Sequence, residues 1–241
     1  LSGKEIRNIA LIGHSGAGKT ALSEAMLFAM GAVDRLGRIE EGNTASDYQK
    51  DEIERRISIS ATPLHAEYSG VKINIIDTPG FSDFSSEVRA ALRVVDAAVV
   101  VVDALTGPEV GTEMVWKYAQ ERGVPRAVFI NRLDKEHVSY DKSLAAVKEV
   151  FGAGVVALQF PLGEGTGFGR IVDLITGKSY SYKAGHFKGQ EDEIPAEAQS
   201  RYDEFLQAMM ESVAETDEEL LNQYCENGGL SREQILTGLR K

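Results

Sequence analysis

The sequence is short of cysteine: Cys225 is the only one in 241 residues. No internal disulfide can form, which fits a reducing compartment such as the cytoplasm. Long apolar runs are missing too. The longest, Ala97 to Val102, falls far below the roughly 20 residues that cross a bilayer, so no membrane association is expected. No sustained short period runs through the chain, which excludes a collagen-like or coiled-coil fibre. The opening Leu1-Ser2-Gly3-Lys4 has neither an initiator Met nor a signal-peptide pattern, as expected of a piece trimmed from a longer protein. Basic charge is in deficit: 26 Lys and Arg stand against 37 Asp and Glu, a net charge of −11. Nonspecific nucleic-acid affinity comes from Lys and Arg displacing counterions, so direct, sequence-specific contact with nucleic acid is not expected. The deficit is uneven, −7 over residues 151–241 and −4 over the first 150.

What is present can build a core. Hydrophobic residues make up 43% and charged residues 26%, the balance of a soluble globular protein of one large domain or one domain with a sizeable insertion. Ile9 to Ile12 is a short apolar run ending at glycine. Thr20 to Met30 then reads as a helix, with Leu22, Met26, Leu27 and Met30 on one face. Residues 34–60 follow, 12 of 27 charged, too long for an ordinary connection and therefore functional or mobile. Leu64 to Tyr68 and Val71 to Ile76, joined by Ser69-Gly70, predict a hairpin. Phe84, Val88, Ala91 and Val95 mark a helix. The continuous run Ala97 to Val102 predicts a strand buried on both faces of a parallel sheet. Glu109 to Glu121 reads as helix, Arg126 to Ile130 as strand and Ser139 to Val150 as helix. This alternation predicts a doubly wound, mostly parallel α/β sheet.

The texture changes near Phe151, where six glycines crowd between Gly152 and Gly169. Arg170 to Ile175 and Ser179 to Lys183 read as a hairpin around Thr176-Gly177-Lys178. A long acidic helix is expected from Pro195 to about Cys225. Another opens at Ser231, with Gln234 three residues on. The expected division is a core over residues 1–157 and an inserted α+β subdomain over 158–241.

Three motifs carry chemistry. Gly13-His14-Ser15-Gly16-Ala17-Gly18-Lys19-Thr20 fits G-x-x-x-x-G-K-[ST], between a strand and a helix. Glycines let successive N–H groups turn inward on phosphate oxygens, and the helix N-terminus adds partial positive charge. Lys19 would reach the outer phosphates and Thr20 would ligate Mg²⁺. Asp77-Thr78-Pro79-Gly80 follows a strand, placing a carboxylate for a metal-bound water and a glycine N–H for the γ-phosphate. Asn131-Arg132-Leu133-Asp134 follows another. A carboxylate there can accept from N1–H and the exocyclic amine of guanine, a donor pair adenine lacks. Asn131 would contact the base and brace the phosphate loop. These residues imply GTP or GDP with Mg²⁺; an ATP-using P-loop protein is the rival that Asn131 and Asp134 argue against.

In this order the motifs resemble the translational GTPases, most closely the elongation factor G family. The resemblance runs over essentially the whole chain. It includes Arg55-Arg56-Ile57-Ser58-Ile59, the extension of the second motif through Phe81-Ser82-Asp83-Phe84, and Leu158-Gln159-Phe160-Pro161-Leu162-Gly163. It implies a Ras-like G domain with an inserted subdomain, GTP hydrolysis assisted by Lys19, Ser58, Asp77 and Gly80, and the ribosome as partner. The insertion would meet the ribosomal stalk, and the isolated domain would be monomeric.

The resemblance makes 34–60 the first switch segment and sets Ser58 where the family has the Mg²⁺-binding Thr. Arg56 replaces a Gly, Gly16 an Asp and Arg132 a Lys. Phe81 stands where the family carries the water-positioning His. These departures point to the divergent, factor G-like subgroup. The four histidines are His14, His65, His137 and His186, none beside Phe81; His14 matches a position where the family often has His, and packing is its expected role. A fifth motif, closing over guanine, is expected beyond Lys241. Phe81 keeps open a second reading, a GTP-dependent switch that hardly hydrolyses and works by ribosome occupancy.

Overall fold

The computed structural model describes residues 5–152, 154–182 and 189–240. These form two compact units, Leu1–Arg132 and Leu133–Lys241.

The first unit is built on a five-stranded sheet of order β2-β3-β1-β4-β5. Its strands are β1 (Ile6–Ile12), β2 (Thr62–Tyr68), β3 (Val71–Asp77), β4 (Ala97–Asp103) and β5 (Arg126–Asn131). Only the β2–β3 pair is antiparallel; β3, β1, β4 and β5 run parallel. The hairpin turn is Ser69-Gly70, both left-handed, the backbone a two-residue turn needs to match strand twist. Ala98, Val100, Val101 and Val102 of β4 are sealed, as expected for a central parallel strand.

The helices α1 (Lys19–Ala29) and α2 (Lys50–Arg55) lie between β1 and β2, α3 (Ser85–Ala91) between β3 and β4, and α4 (Val110–Glu121) between β4 and β5. Leu27 of α1 is buried with Leu11, Ala66 and Ile75, and Leu22, Met26 and Met30 pack against that cluster. The i, i+4 spacing therefore places one helix face on the sheet. A sheet with this order and these crossovers is the P-loop G-domain architecture, and it sets the carboxyl ends of β1, β3, β4 and β5 along one edge.

The second unit holds α5 (Tyr140–Phe151) and an antiparallel sheet, β6 (Gln159–Leu162), β7 (Arg170–Asp173), β8 (Lys178–Ser181) and β9 (Gln190–Asp192), in that order. Three helices follow: α6 (Gln199–Ala214), α7 (Glu218–Asn227) and α8 (Arg232–Gly238). The single long helix expected from Pro195 is two. Asp217 breaks it, its carboxylate accepting from the N–H groups of Glu219 and Leu220 and opening α7. Pro195 precedes a 3₁₀ turn rather than starting the α-helix. Lys183, in the expected hairpin, and His186 lie outside the described residues.

Candidate functional site

β1 ends in the glycine-rich loop, and α1 begins at its lysine, so Lys19 and Thr20 occupy the first turn of a helix beside the sheet edge. Gly18 is left-handed, and a Cβ there would collide with the Asn131 side-chain amide. That close approach carries a bond: Asn131 Nδ2 donates to the Ala17 carbonyl at 2.9 Å. The end of β5 is thereby tied to the phosphate loop.

Lys19 is buried and folds its ammonium back onto the loop, donating to the carbonyls of Gly13 (3.1 Å) and His14 (2.8 Å). Burial pushes its pKa down to about 8, against the opposing pull of Asp77 and then Asp47. Gly80 lies hard against this group. An added Cβ would stand 2.5 Å from Lys19 Nζ and 2.7 Å from the Ser15 nitrogen, so the backbone after Asp77-Thr78-Pro79 approaches the loop as only glycine allows. Thr78 anchors this turn by donating to the Leu11 carbonyl at 2.7 Å.

Beside Lys19 lies a largely buried set of oxygens. Thr20 donates to Asp77 Oδ2 at 2.8 Å, and Ser46 donates to the same oxygen at 2.7 Å. Ser58 Oγ is 3.2 Å from Thr20 Oγ1. The other carboxylate oxygen, Asp77 Oδ1, is buried with no hydrogen-bond partner among the described residues. Burial raises the Asp77 pKa to about 6, although Ser46, Thr20 and Lys19 oppose the shift. Burial likewise raises Asp47, which bonds to Ser58 and faces Glu52 and Glu24.

The three expected metal ligands, Thr20, Ser58 and Asp77, are thus brought together. An all-oxygen donor set, an orphaned carboxylate oxygen and an interior surplus of negative charge fit a small hard dication such as Mg²⁺.

The remaining expected residues divide. Arg132 is left-handed and its guanidinium donates to Asp103 Oδ2 at 2.6 Å, at the carboxyl end of β4. Asp134 belongs to the second unit, where its exposed carboxylate lies 3.8 Å from Lys135 Nζ. Phe81 caps the 3₁₀ turn Ser82–Phe84 and is 41% exposed. His14 faces the start of α4: Nε2 lies 3.6 Å from Glu109 Oε1, and a Cβ on Gly111 would strike the other ring nitrogen.

Sequence reasoning missed Ser46, Asp47, Glu24, Glu52 and Asp103. Asp103 carried a signal, since it ends an apolar strand as Asp77 does. The others carried none, lying in no motif.

The sequence matches the elongation factor Tu GTP binding domain family over residues 4–232. Its structure is similar to the crystal structure of a protein from Thermus thermophilus, with a TM-score of 0.90 and 36% sequence identity. That match covers 98% of this chain and 35% of the other, so the chain spans about a third of the protein it resembles. Among the described residues, no helix is long and apolar enough to cross a membrane. With the family match taking in nearly every residue, the chain belongs to the elongation factor Tu GTP-binding domain family, the GTP-binding domains of translational GTPases.

Proposed function

We propose that the chain is the G domain of an elongation factor G-like translation factor, of the divergent factor G-like subgroup, that binds and hydrolyses GTP on the cytoplasmic ribosome. Residues 1–157 form the nucleotide-binding core and 158–241 an inserted subdomain that meets the ribosomal stalk; the isolated domain is monomeric. One observation carries this reading: the oxygen cluster of Thr20, Ser46, Ser58 and Asp77 beside the buried Lys19, with Asp77 Oδ1 left unpartnered.

Residues 13–20 hold the phosphates, with Lys19 supplying the fixed positive charge. Thr20 and Ser58 would hold Mg²⁺ directly, and Asp77 through a water. The cation when bound neutralises charge developing on the transferred phosphoryl group. Gly80, with Thr78, Pro79 and Phe81 around it, sets an N–H toward the terminal phosphate. Asp134 accepts from the N1–H and exocyclic amine of guanine, Asn131 contacts the base and braces the phosphate loop, and the Arg132 stem covers the base. Because these contacts stabilise charge spread over phosphate oxygens, catalysis rests on positioning and electrostatics.

Base identity is the first test. Asp134→Asn should lose GTP and gain xanthosine triphosphate, since an amide can donate to the xanthine carbonyl. The reading sinks if ATP competes with GTP within about tenfold, a gap of about 1.4 kcal/mol.

Phe81 favours a second reading, a switch that works by ribosome occupancy with little turnover. Its ring has no group to orient or polarise a water, and it stands where the related factors carry His. Water positioning or general-base help is worth about 10² to 10⁴ in rate, so Phe81→His should raise ribosome-dependent hydrolysis within that range. KM should stay nearly constant, as expected for an interaction made in the transition state. Wild-type turnover on ribosomes already equal to that of the variant would remove the second reading.

A further inference from the structure

Two buried carboxylates in the first unit take no part in the roles above. Glu24 of α1 is 2% exposed, and Glu52 of α2 is 1% exposed. Both accept backbone N–H groups of the long segment 34–60 and its exit. Glu24 Oε2 accepts from Gly37 at 3.1 Å and Oε1 from Ala45 at 2.5 Å. One carboxylate thereby closes the seven residues Arg38 to Thr44 into a loop on the helix that follows the phosphate loop. Glu52 Oε1 accepts from Ile59 at 2.9 Å and Ser60 at 3.1 Å, and Oε2 from Gln49 at 3.3 Å.

The register of these bonds is informative. Ala45 immediately precedes Ser46, and Ile59 immediately follows Ser58. Ser46 and Ser58 are the two hydroxyls of this segment that reach Asp77 and Thr20. Each carboxylate therefore fixes the peptide next to one of those serines. A buried carboxylate satisfied by N–H donors forms charge-assisted bonds, stronger than neutral ones and costly to break. The segment is 12/27 charged and needs such fixed points to hold one conformation.

We propose that Glu24 and Glu52 are positioning residues: Glu24 through Ala45 and Glu52 through Ile59 deliver Ser46 and Ser58 to the Thr20–Asp77 cluster, and so set how much Mg²⁺ strengthens GTP binding. The inference rests on the nucleotide and cation assignment made above. Lys19 and the phosphate loop act without these tethers, so affinity measured in chelator should be untouched by their loss.

The experiment measures GTP affinity with Mg²⁺ and with EDTA for wild type, Glu24→Gln, Ser46→Ala and the double variant. Glutamine keeps the shape but turns an NH₂ donor toward one of the two N–H groups, so one tether is lost. Glu24→Gln should cut the Mg²⁺ gain about fivefold and leave the EDTA value unchanged. In the Ser46→Ala background it should cut little further, because both changes act through the same hydroxyl. Trypsin should cleave the variant faster at Arg35, Arg38, Arg55 and Arg56.

Equal weakening with and without Mg²⁺, or full additivity with Ser46→Ala, overturns the proposal and leaves Glu24 a packing residue. Glu52 lies on a six-residue helix outside the sheet, so Glu52→Gln with Ser58→Ala repeats the cycle if Glu24→Gln does not fold. A wild type that binds GTP but gains nothing from Mg²⁺ also overturns it while sparing the base assignment. A wild type that binds no guanine nucleotide overturns the functional reading itself.

Discussion

The two units bury different things. Among the described residues, all six buried charged side chains belong to the first: Lys19, Glu24, Asp47, Glu52, Asp77 and Asp103. The buried side chains of the second are aliphatic and aromatic, Phe160, Val172, Leu174, Met209 and Val213 among them, with Ser143 and Ser179 its small polar exceptions. Phe160 stacks on Phe205 with ring centroids 5.3 Å apart, and Arg201 stands 5.2 Å over the Phe160 ring. An apolar core stabilises by burial alone. Buried charge costs stability unless partners compensate it, so its concentration in one unit fits the phosphate and cation site proposed there.

The sharpest test of that contrast is a truncation in the apolar unit. Phe160→Ala should destabilise the second unit by about 3–5 kcal/mol, seen as a lowered thermal midpoint. GTP affinity should stay as in wild type; a parallel fall in affinity would break the contrast.

Next comes charge removal in the polar unit. Lys19→Met should weaken GTP binding by about 10² to 10³, the cost of removing one partner from buried charged contacts. Its counterpart Lys178→Met, at an ion pair with Glu193 in the second unit, should leave affinity unchanged. Calorimetry on both variants checks this.

The pH dependence should be smaller and two-sided. Asp77 sits at about 6, above its unfolded value of 3.8, so the folded form holds a proton that the unfolded form has released as pH rises between those values. Stability therefore falls with rising pH in that window. Cation binding needs the carboxylate ionised, so the Mg²⁺ gain in GTP affinity should drop about tenfold per unit below pH 6. Lys19 sits at about 8, below its unfolded 10.5, so above pH 8 it loses the charge proposed to hold phosphate. Affinity measured across pH should peak between about 6 and 8, and a flat profile would show that neither group titrates at the site.

Smallest is the loss of one hydroxyl. Ser58→Ala should weaken Mg²⁺-dependent GTP binding by about fivefold, or about 1 kcal/mol, with little change in EDTA.

What the sequence made legible was local. The phosphate loop is eight consecutive residues whose chemistry needs no tertiary partner to recognise, and β4 is an unbroken apolar run. Lys19, Thr20 and Asp77 could be named because each follows a strand within a fixed spacing. Glu24, Ser46 and Glu52 could not, because their roles depend on how residues 34–60 fold back over α1, a matter of tertiary contact. The helix break at Asp217 was missed for a different reason. An acidic residue in an acidic stretch looks like solvated surface until its carboxylate is seen capping two N–H groups. β9 (Gln190–Asp192) has no apolar alternation to announce it and exists through its pairing with β8.

The bond from Asn131 to Ala17 has a kinetic meaning. One amide joins the end of β5 to the glycine-rich loop, so loosening at either end is felt at the other. Under the nucleotide assignment proposed above, exchange would proceed as a joint opening rather than as two separate releases. A substitution at Asn131 should appear mainly as faster escape of bound nucleotide, since the tie resists opening.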